Sequence, residues 1–191
     1  MCIRDRRGPV AGRHAVCRAL LRRKRDDAVP QGPVRGGRPD HAGGADWQFI
    51  AEAAEKIKAS NPDVYGICLR GKPGWGENMA FLGSMARAFG ADYFDANWQP
   101  QFESEGWKTA VAMYVDLMTK YGPPGAASNG FNENLSLFNQ GRCAMWMDAT
   151  VAASFVTNPK ESQVADKVGF APFPCGIENC PNNGACLLYT S

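Results

Sequence analysis

No Phe, Tyr or Trp occurs before Trp47, although the 191 residues hold 10, 5 and 5 of them. A stretch without aromatics has little with which to build a core, so the first 45 residues differ in kind from residues 46–191. Histidine is missing from the other side of that boundary. The only two, His14 and His41, lie in the front piece, which disfavours a histidine-based triad or metal centre in the remainder. No apolar run approaches the ~18 residues that cross a bilayer. Ala19-Leu20-Leu21, after a charged start, is too short for the apolar region of a signal peptide. Negative charge is scarce at the front as well. Residues 1–45 carry 11 Lys+Arg against 4 Asp+Glu, a net +7, and residues 46–185 carry 10 against 15, a net −5, which together give the +2 of the whole chain.

A basic, aromatic-free leader is open to three readings: an Arg-rich arm for nucleic acid, a transit peptide, or text that is not natural protein. The third is favoured. Met1–Arg6 is what one frame of a common transposase-end sequencing adapter encodes, and Cys186–Ser191 is what its reverse complement encodes in another. Back-translated and read one base later, residues 26–46 give MTLYRKDLFEAAGLTMPEAPT, running directly into Trp47, and residues 18–25 give RFYGESA. The expected layout is therefore adapter-derived tips at 1–6 and 186–191, a frameshifted, disordered leader at 7–45, and a folded segment at 46–185. Of seven cysteines, Cys68 and Cys143 sit in apolar strand-like runs and read as buried, inert thiols. Cys175 and Cys180 share a Pro/Asn/Gly loop, where a surface disulfide and free thiols stay equally open. Two thiols with no second pair make a weak zinc site.

From Trp47 onward, helical and strand periods alternate. Trp47–Ser60 reads as a helix with Phe49, Ile50, Ala53, Ala54 and Ile57 on its core stripe, stopped by Asn61-Pro62-Asp63. Val64–Leu69 is a short buried strand, Arg70–Glu77 a Gly-rich loop, and Asn78–Phe89 a helix ended by Gly90. Tyr93-Phe94 is a short strand or turn. Ser104 caps a long helix through Tyr121, with Ala110, Met113, Tyr114, Leu117 and Met118 facing the core. A Gly/Pro/Ser loop spans Gly122–Gly130. A helix over Asn132–Gln140, a strand over Cys143–Met147, a helix over Ala149–Val156 and a strand over Val168–Phe173 complete the pattern. Single strands between helices predict an α/β domain with helices flanking a sheet.

Three motifs carry chemistry. Arg70-Gly-Lys-Pro-Gly-Trp-Gly-Glu-Asn78 leaves a strand and opens a helix, where open α/β sheets bind ligands. It is no phosphate loop, since the Lys is misplaced and no Ser/Thr follows it. Its glycines let Trp75 stand out, and an indole face suits the C–H face of a sugar or polyol. Arg70 and Asn78 are donors for hydroxyls, and Glu77 is an acceptor. The plainer alternative packs Trp75 as a loop plug beside a solvated Arg70–Glu77 ion pair. Asn132, in Asn129-Gly-Phe-Asn-Glu133, is a ligand contact or a helix cap. Asp148, ending Met145-Trp-Met-Asp148, is a cap or a ligand acceptor. Glu77 with Asp148 is also a conceivable acid/base pair of a carbohydrate hydrolase, if about 5–10 Å separates the carboxyls across a cleft.

At these motifs the chain resembles the family 1 extracellular solute-binding proteins of ABC importers, in the sorbitol/mannitol (polyol) branch. The resemblance runs from Trp47 to Phe173. It is carried by Val64–Leu82, Tyr114–Met118, Gly122–Glu133 and Leu137–Lys160, with Phe-x-x-Gly-x-x-Ala-Met at Phe138 to Met145 as the broadest signature. The shifted reading before Trp47 looks like the same family. The resemblance implies an incomplete, periplasmic-binding-protein-like (type II) α/β lobe with a mixed sheet, part of a monomeric exported receptor whose signal peptide is missing. It implies binding without catalysis, metal or cofactor, with a permease in the membrane as partner and no nucleic acid. By the same resemblance Arg70, Trp75, Glu77, Asn78, Asn132, Trp146 and Asp148 face the cleft. Half a cleft implies little polyol affinity for the chain alone.

Overall fold

The structure, a computed structural model, describes residues 18–22, 46–171, 173, 174 and 176. Helix α1 spans Trp47–Ser60, where the Asp46 carboxylate accepts the Phe49 N–H at 2.7 Å and caps it. Its buried residues are Trp47, Ile50 and Ala54, the i, i+3, i+7 row. Phe49, expected on that stripe, is exposed. It stands two residues from Trp47, about 200° around the helix, on the opposite face.

Strand β2 is Tyr65–Cys68, helix α2 is Asn78–Ala88, and helix α3 is Glu105–Asp116. The predicted helix to Tyr121 is continuous, but Leu117–Tyr121 widens into a π turn. Ser104 precedes α3 in extended backbone, yet its hydroxyl caps nothing. Helix α4 is Phe131–Asn139, strand β3 Cys143–Asp148, helix α5 Ala152–Val156 and strand β4 Val168–Ala171. Strand β1, Arg18–Arg22, completes a four-stranded sheet in the order β2-β3-β1-β4. β2 and β3 are parallel, and β1 runs antiparallel to both β3 and β4, so the sheet is mixed, as expected.

Residues 18–22 fall inside the segment that the sequence sets aside as a disordered leader. Over these five the backbone is instead a strand, because pairing asks only for main-chain N–H and C=O groups along the facing edges of β3 and β4. The remainder of 7–45, both adapter-derived tips, Cys175 and Cys180 lie outside the described residues.

The strand period of two sorts side chains onto two helical layers. Ile67, Leu69, Met145 and Met147 pack with Trp47, Phe81, Met85, Trp107 and Tyr114 from α1, α2 and α3. Cys68 and Trp146 face the other way, onto Phe138, Ala152 and Val156 of α4 and α5. Cys68 and Cys143 are buried as predicted, but they are joined to each other as a disulfide.

Candidate functional site

The parallel register sets Cys68 opposite Trp146. Two residues further along each chain, on the same face, come Arg70 and Asp148. Sheet geometry thus makes two residues 78 apart in sequence cross-strand neighbours at the C-terminal edge of the sheet. Arg70 grips Asp148 in a bidentate fork. Its Nε donates to Oδ2 at 2.8 Å, and its Nη2 donates to Oδ1. Nη1 donates to the Gly76 carbonyl and to Glu77 Oε2 at 3.3 Å. Asp148 Oδ1 also accepts the Ala149 N–H at 2.7 Å. The Arg70 and Asp148 side chains are only 12 % and 1 % exposed, and Glu77 29 %.

The Arg70 guanidinium lies 5.2 Å from the Phe131 ring centroid, a cation–π contact. Burial works against its charge, but hydrogen bonding and the charge of Asp148, then of Glu77, outweigh it and hold the Arg70 pKa above its ordinary value. Behind the cluster, the Tyr114 hydroxyl donates to the Arg70 carbonyl at 2.6 Å, and burial pushes the Tyr114 pKa up to about 12.

The loop after β2 is pinned on its other side as well. The N–H groups of Gly71 and Lys72 both donate to the Asn129 carbonyl, at 2.9 and 3.0 Å. Gly71 is required there, because a Cβ would stand 2.2 Å from the Ala126 carbonyl oxygen. Glu77 Oε2 accepts the Phe131 N–H at 3.2 Å, so a residue of this loop caps the first turn of α4. Glu133 caps the same turn from within. Its carboxylate accepts the Gly130 N–H at 2.8 Å, and main-chain hydrogen bonds to it, from its own and the Gly130 amide, lower its pKa. Asn78 Oδ1 accepts the Gly74 N–H at 3.2 Å and closes the turn that carries Trp75. On that framework the Trp75 ring is 84 % exposed.

The structure therefore gathers Arg70, Trp75, Glu77, Asn78 and Asp148 at one edge of the sheet. It does not bring Trp146 to the surface. Strand alternation buries that ring between Phe131 and Phe138, with centroids 5.4 and 5.8 Å away, so Trp146 supports the site from below. Asn132 is not a helix cap either, because Gly130 holds the N-cap position. Asn132 is exposed in the first turn and lines a separate depression of about 240 Å³ with Leu135, Ser136, Asn139 and Gln163. Sequence reasoning missed Phe131, Gly130 and Tyr114 as parts of the site. The Asn129–Glu133 motif pointed at the right turn, but nothing local marks which of its residues meets Arg70. The two carboxylates considered for hydrolysis, Glu77 and Asp148, hold one guanidinium between them.

A family model described as bacterial extracellular solute-binding protein matches residues 37–179. The mannitol-binding protein of Pseudomonas aeruginosa is 53% identical over 144 residues, 75% of this chain and 32% of the relative. A solute-binding protein of an ABC transporter from Agrobacterium vitis, solved with bound D-mannitol, shares 53% identity at a TM-score of 0.70, over 83% of this chain and 36% of that one. The maltose-bound MalE3 of T. maritima shares 26% identity at a TM-score of 0.63, over 75% and 35%. The chain thus spans about a third of the length of these relatives, and its fold is that of part of an α/β lobe of such proteins.

Proposed function

The chain belongs to the bacterial extracellular solute-binding protein family, and on that premise we propose that it is part of the substrate-binding component of an ABC importer for a polyol of the mannitol/sorbitol type. The observation that carries the reading is Trp75, 84 % exposed on a loop whose flanks are hydrogen-bonded down. An indole held out in this way offers a face to the C–H side of an uncharged carbon chain. Glu77 and Asn78 beside it offer polar atoms to hydroxyls. The 53% identity to a mannitol-binding protein supports the same ligand class. We further propose binding without catalysis, an exported periplasmic monomer, and permease subunits in the membrane as partners. The Cys68–Cys143 disulfide accords with an oxidising compartment.

The test is calorimetric. The chain alone, about a third of the relatives' length, is expected to give no measurable heat with millimolar D-mannitol. A chimera in which residues 47–170 replace the matching segment of the P. aeruginosa protein is expected to bind D-mannitol, and Trp75→Ala within it to weaken binding at least tenfold. Unchanged affinity in that variant would remove the indole from the site.

A further inference from the structure

Glu77 has two carboxylate oxygens in different situations. Oε2 accepts both the Arg70 Nη1–H and the Phe131 N–H. Oε1 accepts no hydrogen bond among the described residues, and the side chain remains part-exposed. Opposite the carboxylate stands Gly130, where a Cβ would lie 2.9 Å from each of the two oxygens. The place of that missing side chain is filled by Glu77. Arg70, for its part, donates through Nε, Nη1 and Nη2 to Asp148, Gly76 and Glu77, and is nearly buried. It has little left to offer a ligand.

We propose that Glu77 is a two-sided residue: Oε2 latches the Trp75 loop to the first turn of α4, and Oε1 is the acceptor presented to a ligand hydroxyl, with Arg70 as a positioning residue behind it. The latch stands on geometry alone, whereas the role of Oε1 rests on the polyol reading above. The chemistry has two consequences. The loop is pre-organised, so little ordering cost remains to be met on binding. The polarity presented outward is also that of an acceptor. Arg70, Lys72, Glu77, Glu133 and Asp148 sum to one net negative charge, which favours neutral polyols over their carboxylate or phosphate derivatives.

Glu77→Gln separates the two sides. Both latch bonds end on one oxygen, so a single amide oxygen takes both of them and turns an NH₂ outward where Oε1 was. Amide hydrogen exchange at Phe131, followed by NMR in the 191-residue chain, reads the latch. Glu77→Ala and Gly130→Ala are expected to speed exchange there at least tenfold, and Glu77→Gln to leave it within threefold of the parent. Exchange unchanged in Glu77→Ala, or accelerated equally in Glu77→Gln, overturns the latch. In the mannitol-binding chimera, Glu77→Gln is expected to lose at least tenfold in D-mannitol affinity with the latch intact, and full retention overturns the outward acceptor. If the parent chimera fails to bind while the exchange pattern holds, the polyol reading falls and the latch stands.

Discussion

Replacing Tyr114 by Phe should reverse the order of stability between pH 7 and pH 12. The Tyr114 ring is buried and its hydroxyl donates to the Arg70 carbonyl at 2.6 Å. At neutral pH the substitution removes that bond and costs about 1 kcal/mol, as buried neutral hydrogen bonds do. At high pH the sign changes. Burial raises the Tyr114 pKa to about 12 from the ordinary 10.0. Between those values the unfolded chain has lost its phenolic proton and the folded chain has kept it. Stability therefore falls as pH rises through that window, and below pH 10 this group contributes no pH dependence. The whole difference amounts to about 2–3 kcal/mol, most of it lost by pH 12. Tyr114→Phe lacks this loss. It should be about 1 kcal/mol less stable than the parent at pH 7 and about 1–2 kcal/mol more stable at pH 12. Urea denaturation followed by fluorescence at intervals from pH 7 to pH 12 measures the difference. Parallel pH profiles for the two proteins would refute the reasoning, because they would mean that folding does not shield the Tyr114 hydroxyl.

The same packing sets other expectations. Gly71→Ala places a methyl 2.2 Å from the Ala126 carbonyl oxygen; it should destabilise the fold by about 1–3 kcal/mol in denaturant titration, and a neutral result would mean that the two loops are not in contact. Trp146→Ala removes a fully buried ring between Phe131 and Phe138, at a cost of about 3–5 kcal/mol, whereas a surface ligand contact would lose affinity with little loss of stability. Trp75→Ala should move stability by less than about 0.5 kcal/mol, since its ring is 84 % exposed. Thiol titration in denaturant without reductant should find Cys68 and Cys143 unreactive, and both reacting would show two free thiols.

Local signals determined much of this protein. The sequence alone located most helices and strands to within a few residues, because the periods of burial and stops such as Gly90 are written in neighbouring positions. It also located the Gly-framed Trp75 loop, because glycines around an indole have few other uses. The side of the sheet that each strand residue faces was decided by tertiary structure. Trp146 and Asp148 are two apart and share a face, yet one lies beneath helices and the other reaches the edge where Arg70 waits. That difference depends on where α4 and α5 settle. The pairing of Arg70 with Asp148, and of Glu77 with the first turn of α4, depends on strand register and on the path of a loop some fifty residues away. Periodicity says how often a residue turns inward. Which residues meet is fixed only when the strands pair and the helices pack.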